Sequence, residues 1–105
     1  MTGKVICIGL GPGDPDLISL RAHRLLSGAR TVAYFRKAGR PGQARRMVDG
    51  LIPAGAREWP MEYPVTTEIP LDDPAYNAAL AAFYDDWAAR LAAGAAQGDV
   101  IVLCE

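Results

Sequence analysis

The sequence predicts an α/β domain, a mostly parallel sheet with flanking helices. Short apolar runs rich in β-branched residues recur at 4–8, 31–35, 57–59 and 100–103, which is how strands covered on both faces read. Stretches with helical signals separate them, and the resulting order βαβαβαβ builds a parallel sheet with right-handed crossovers. The length, 105 residues, suits one domain with a real core and not comfortably two.

Each element has a local cause. Lys4 to Ile8 is a near-continuous apolar run that reads as a buried parallel strand. Gly9-Leu10-Gly11-Pro12-Gly13-Asp14-Pro15 holds three glycines and two prolines, which suit neither helix nor strand. Ser19 is a helix N-cap, and Leu20 to Ser27 follow with Leu20, Leu25 and Leu26 on or near one face. Gly28 closes that helix. Thr31 to Phe35 is a second strand, and Arg36 to Gly42 a loop. Gln43 to Leu51 reads as a short helix with Met47, Val48 and Leu51 inward, and Arg57 to Trp59 as a short third strand. Residues 60–74 carry Pro60, Pro64, Pro70 and Pro74 and read as an extended loop. A loop of that length is uncommon unless it has a function. Pro74 suits a first helical turn capped by Asp72 or Asp73. From Ala75 to about Gln97, Tyr76, Leu80, Phe83, Tyr84, Trp87 and Leu91 form one apolar stripe that reads as core packing. Gly98-Asp99 turns the chain into a fourth strand, Val100 to Leu103.

Eleven basic residues balance twelve acidic ones, so bulk charge gives no reason to expect nucleic acid or a membrane surface as a partner. The amino-terminal apolar run is too short and too broken by glycine for a signal peptide or a membrane span. Cys7 and Cys104 each sit in a strand-like run without metal or CxxC spacing. They read as small buried hydrophobes in a reducing cytoplasm, and no metal site is expected. Charge is uneven along the chain. Arg36, Lys37, Arg40, Arg45 and Arg46 form a basic stretch, while Glu58, Glu62, Glu68, Asp72, Asp73, Asp85 and Asp86 make the later part acidic. These are either two solvated faces or, for the basic stretch, contacts to a carboxylate or phosphate.

The glycine loop lies where open α/β sheets bind ligands, beyond the carboxyl end of a strand. A phosphate-binding Walker loop is excluded because Asp14 follows Gly13 where Lys-Ser/Thr is needed. A dinucleotide fingerprint is weakened because Asp14 replaces its third glycine, and a carboxylate there repels pyrophosphate. Arg36 after the second strand keeps open an NADP-type nucleotide-binding domain. A non-phosphate ligand with an adenosyl group or a cation is the third reading. Alternatively, the loop is a plain turn and Asp14 only a cap.

The run Gly9-Leu10-Gly11-Pro12-Gly13-Asp14-Pro15-Asp16-Leu17-Ile18-Ser19-Leu20-Arg21-Ala22 resembles the amino-terminal signature of the tetrapyrrole methylases, roughly GxGPGDxxLLTLxA, with Ser19 where threonine is usual. Thr31-Val32-Ala33-Tyr34 resembles the family's next element. Tyr63-Pro64-Val65-Thr66-Thr67-Glu68, and the pairing of Tyr34-Phe35 with Lys37-Ala38-Gly39, resemble one branch, the precorrin-2 C20-methyltransferases. The resemblance implies the N-terminal domain of a tetrapyrrole methylase over 1–105, S-adenosylmethionine as methyl donor and a tetrapyrrole substrate. That substrate is precorrin-2 in cobalamin biosynthesis, with cobalt-factor II of the anaerobic route as the alternative. It further implies Gly11, Pro12 and Gly13 at the cofactor, Asp14 as orienting or proton-handling residue, and Arg36, Lys37, Arg40, Thr66, Thr67 and Glu68 at the substrate. Uroporphyrinogen methylases of the family often carry an aspartate where Phe35 stands, so no base is carried over there. The family continues with Gly-Asp-Pro and a second α/β domain. The expectation is therefore a fragment inactive alone, a cytoplasmic homodimer when full length. His23, within the first helix, reads as a structural or surface residue.

Overall fold

The computed structural model describes residues 3–37, 39, 40, 42–64 and 73–104. The chain forms β1 (Val5–Gly9), a 3-10 turn (Pro15–Leu17), α1 (Leu20–Ser27), β2 (Thr31–Arg36), α2 (Gln43–Met47), β3 (Arg57–Glu62), α3 (Pro74–Ala95) and β4 (Val100–Cys104). The four strands make one all-parallel sheet in the order β1-β4-β2-β3. The connection through α1 skips a position, and β4 fills that position after the chain returns through α3.

Two layers of helix cover the sheet, because alternate side chains on each strand point to opposite faces. Val32 and Tyr34 of β2 and Ile101 and Leu103 of β4 pack with Ala22 and Leu26 of α1 and Ala44 of α2. On the other face, Ala33, Val100 and Val102 meet Met61 of β3 and Phe83 and Ala95 of α3. Leu26, Leu103, Val32 and Met61 are fully buried, and each such side chain stabilises the fold by roughly 1.5–3 kcal/mol.

Local signals set the element ends. The Ser19 hydroxyl accepts the Ala22 N–H at 3.1 Å and starts α1. The Asp73 carboxylate accepts the Ala75 N–H at 2.8 Å and starts α3, with Pro74 at its first position. Along α3, Phe83, Trp87, Leu91 and Ala95 face the sheet at four-residue spacing, whereas Tyr84 is 46% exposed.

Several expectations are corrected. β1 is an edge strand, and no β1 residue joins the core beneath α3. Val5, Cys7 and Gly9 are accordingly exposed, so Cys7 is not a buried hydrophobe, and Cys104 is only half-buried. Leu20 is 76% exposed, because it lies across α1 from Ala22 and Leu26. β3 runs through Pro60 to Glu62 instead of stopping at Trp59. It is the other edge strand, where a missing N–H is tolerated. α2 ends at Met47, not Leu51. Beyond it Gly50 takes φ 85°, and a turn bonds the Leu51 N–H to the Val48 carbonyl at 2.8 Å. Val48 is still fully buried.

Candidate functional site at the carboxyl ends of the strands

Because all four strands are parallel, the loops after β1, β2 and β3 emerge at one end of the sheet. After β1, Leu10 turns into the core and is 1% exposed, which anchors the loop. Gly11 and Gly13 then take φ 78° and 122°, backbone that a side chain disfavours. A Cβ on Gly11 would also come within 3.2 Å of the Leu17 carbonyl oxygen. The chain therefore passes this turn with no side chain at Gly11 or Gly13. Asp14 caps the 3-10 turn, its carboxylate accepting the Asp16 N–H at 2.9 Å.

Leu10, Gly11, Pro12 and Gly13 line a cleft of about 240 Å³ together with Gln43, Ala44 and Met47 of α2. Ligand pockets commonly span ~300–1,000 Å³, so these residues surround part of a small molecule and not all of it. The cleft could hold an adenosyl or aminoacyl group against bare backbone. It contains no acid–base pair, metal cluster or nucleophile among the described residues.

Two features hold α2 against this loop. Gly42 is buried, and a Cβ there would collide with the Phe35 carbonyl oxygen at the end of β2. Arg45 reaches the sheet: its Nε donates to Glu58 Oε1 at 2.6 Å, and its Nη1 donates to Asp49 at 3.2 Å. The Tyr34 hydroxyl donates to the same Glu58 oxygen at 3.1 Å. The Arg45 hydrogen bond holds the Glu58 carboxyl below its ordinary range, against the opposing effect of burial. Burial first, then the Glu58 hydrogen bond, pushes the Tyr34 hydroxyl up. At Cys104 burial is again the largest cause of a raised thiol, followed by Cys7.

The expected site residues divide. Gly11, Pro12 and Gly13 stand together in the cleft lining, whereas Asp14 lies beside it as a cap. Arg36 ends β2 opposite Glu62 of β3, with a loose 3.8 Å ion pair between them. Its Nε is buried without a hydrogen-bond partner among the described residues. Lys37 and Arg40 are exposed in the following turn, where the Arg40 N–H donates to the Lys37 carbonyl at 3.1 Å. Thr66, Thr67 and Glu68 lie outside the described residues. The sequence reading missed Gln43, Ala44 and Met47. Their only signal was the position of their helix directly after the β2 loop. It also missed the aromatic group at the same end, where Phe35 and Tyr63 stack at 5.6 Å with Phe83 5.4 Å from Tyr63.

A larger groove of about 950 Å³ opens at the opposite, amino end of the strands. Parallel sheets present their principal ligands at carboxyl ends, and the bare glycine backbone is there too, so the smaller cleft is the candidate site.

Comparison with known proteins gives the family. Residues 4–105 match the family Tetrapyrrole (Corrin/Porphyrin) Methylases. A precorrin-2 C(20)-methyltransferase from a Sinorhizobium species is 44% identical over 101 residues, covering 96% of this chain and 41% of that protein. The cobalamin biosynthesis protein CobIJ of Mycobacterium tuberculosis is 37% identical over 90 residues, covering 86% of this chain and 18% of that protein. An S-adenosyl-L-methionine-dependent uroporphyrinogen III methyltransferase of Methanosarcina barkeri is 45% identical over 38 residues, covering 36% of this chain and 15% of that protein. The chain thus spans well under half the length of these relatives. With its parallel sheet, its bare glycine loop and this match over nearly its whole length, the chain belongs to the tetrapyrrole (corrin/porphyrin) methylases.

Proposed function

We propose that this chain supplies the donor-binding loop of an S-adenosylmethionine-dependent methyltransferase that methylates precorrin-2 at C20 in cobalamin biosynthesis. The observation that carries the reading is spatial. A cleft lined by Gly11, Pro12 and Gly13 opens at the same end of the sheet as Arg36, Lys37 and Arg40. Such a cleft suits an uncharged or cationic group beside Asp14, and the cations suit a substrate rich in carboxylates. Arg36 supports this assignment twice, through its loose pairing with Glu62 and its buried Nε, which has no hydrogen-bond partner among the described residues. The likeness to the Sinorhizobium enzyme supports the choice of substrate within the family.

S-adenosylmethionine supplies an activated methyl group. The protein's own task is alignment and exclusion of water, since an electron-rich carbon of the tetrapyrrole is already a nucleophile. Leu10 fixes the loop from the core side, and Gly42 and Arg45 fix α2 facing it. The Thr66-Thr67-Glu68 segment completes the proposed substrate contacts. Asp14, next to Gly13 in the chain, is proposed to orient a ligand or handle a proton released after transfer.

The test is calorimetric titration with S-adenosylhomocysteine, followed by incubation with S-adenosylmethionine and precorrin-2 and mass measurement of the tetrapyrrole. Binding by these residues alone should be weak and saturable, because the cleft encloses only part of such a ligand. Gly13→Val should abolish it, since valine disfavours φ 122° and would crowd the cleft. Heat that is identical in wild type and Gly13→Val would overturn the assignment.

A further inference from the structure

The amino-end groove has a composition the carboxyl-end cleft lacks. It lies between the last turns of α3 and the first residues of β2 and β3. Both tryptophans of the chain, Trp59 and Trp87, line it, with ring centroids 6.4 Å apart and planes tilted by 45°. Three arginines, Arg30, Arg57 and Arg90, line it as well, against a single carboxylate, Asp99. Asp99 is already engaged, accepting the Lys4 N–H at 2.7 Å. Arg90 lies over the Trp87 ring at 4.8 Å and pairs with Asp86 at 3.1 Å. Arg30 and Arg57 are exposed, and their guanidinium groups have no partner among the described residues.

We propose that this groove is a second ligand site, one that takes a planar ring system bearing carboxylate or phosphate groups. Two half-buried indoles provide apolar faces, and ring stacking on such faces is favourable. The Arg90 guanidinium already lies over the Trp87 ring, so a flat, delocalised cation is accommodated against an indole here. Arg30 and Arg57 supply planar donor forks suited to a carboxylate or phosphate at the rim. The cavity of about 950 Å³ is large enough for a multi-ring molecule. The floor is also held in place: a Cβ on Gly94 would lie 3.0 Å from Trp59 Cζ3 and closer still to Cη2, so the α3 backbone abuts the indole edge. The site is at the other end of the sheet from the glycine loop, and its occupation is independent of the methyl-donor reading.

Both tryptophans of the protein line the groove, so their indole resonances report on it. The experiment titrates the nitrogen-15-labelled chain separately with naphthalene-2-carboxylate, 2-naphthyl phosphate and the neutral naphthalene-2-carboxamide. We expect saturable shifts of both indole resonances with at least one anion, while the Gly11 and Gly13 amides stay in place. The carboxamide should bind about fivefold or more weakly, the factor expected for losing one charge-assisted contact. Arg30→Gln with Arg57→Gln, both at exposed positions, should weaken the anions by a similar factor and leave the carboxamide unchanged. A response to carboxylate alone or phosphate alone names the natural anion. The proposal is overturned by equal affinity for anion and amide, by an unaltered anion affinity in the double variant, or by shifts that never saturate.

Discussion

Gly94→Ala tests whether α3 is held at its present distance from the sheet by the lack of a side chain. Two effects oppose one another. Alanine is the better helix former by ~1 kcal/mol in a helix interior, and by less in a last turn, where Gly94 stands. Against this, the new Cβ would fall inside contact distance of two carbons of the Trp59 ring. An indole cannot bend away as a lysine tip can, and the Trp87 ring stands 6.4 Å from it on the same face. Forcing a methyl into such a contact costs about 1–3 kcal/mol. The clash wins, with a net loss of ~1–2 kcal/mol. For a domain of this size that lowers Tm by about 5–10 °C.

Thermal unfolding followed by far-ultraviolet circular dichroism measures the change, and a double-mutant cycle identifies its cause. Trp59→Phe removes the far edge of the indole that the Cβ would strike. In that background Gly94→Ala should be neutral or slightly stabilising, because only the propensity gain is left. A higher Tm for Gly94→Ala in the wild-type background, or an equal loss in both backgrounds, would refute the steric reasoning.

Two further outcomes follow from charge placement. Glu58→Gln should cost about 1 kcal/mol near neutral pH, a value kept small because the pair is partly exposed. The Arg45 hydrogen bond holds the folded Glu58 carboxyl below its ordinary value, so its stabilisation is complete above the ordinary carboxylate range and lost as pH falls through the folded pKa. Urea unfolding of wild type and Glu58→Gln should therefore differ at neutral pH and converge in acid; a gap that persists in acid would show another cause. Arg36→Ala combined with Lys37→Ala should weaken tetrapyrrole binding by roughly tenfold or more while leaving S-adenosylhomocysteine affinity nearly unchanged. Equal losses for both ligands would mean these residues do not face the substrate.

Chain order and the glycine loop were legible in the sequence because their causes are local. Ser19 and Asp73 cap helices through their own side chains, and Gly11 and Gly13 stand where the backbone needs positive φ. Strand order was not legible. Val5-Ile6-Cys7-Ile8 and Val100-Ile101-Val102-Leu103 look alike as strings, yet one lies at an edge and the other between two neighbours. Exposure of Cys7 follows from that order and from nothing in its own neighbourhood. Pro60 misled for the opposite reason. A local rule says it should end a strand, and the edge position of β3 removes the conflict. The lining contributed by Gln43, Ala44 and Met47 depends on Gly42 approaching β2 and on Arg45 reaching Glu58, both contacts across elements.

The uneven charge of the sequence resolves through the same parallel register. β2 and β3 lie side by side, so the basic segment after β2 meets the acidic residues of β3 from the neighbouring strand. Arg45 takes Glu58, and Arg36 reaches Glu62 only at 3.8 Å. What is left over at the carboxyl end is Lys37 and Arg40, exposed and without side-chain partners among the described residues. A stability role would have favoured pairing these cations as tightly as Arg45 is paired. Both lie beyond the end of β2, at the end of the sheet where the glycine-loop cleft opens, which is the basis for assigning them to the substrate. The same reasoning separates Arg45 from its neighbours in the sequence. Arg45 belongs to the scaffold that holds α2, so its loss should lower stability first, whereas loss of Lys37 should lower affinity and leave stability unchanged.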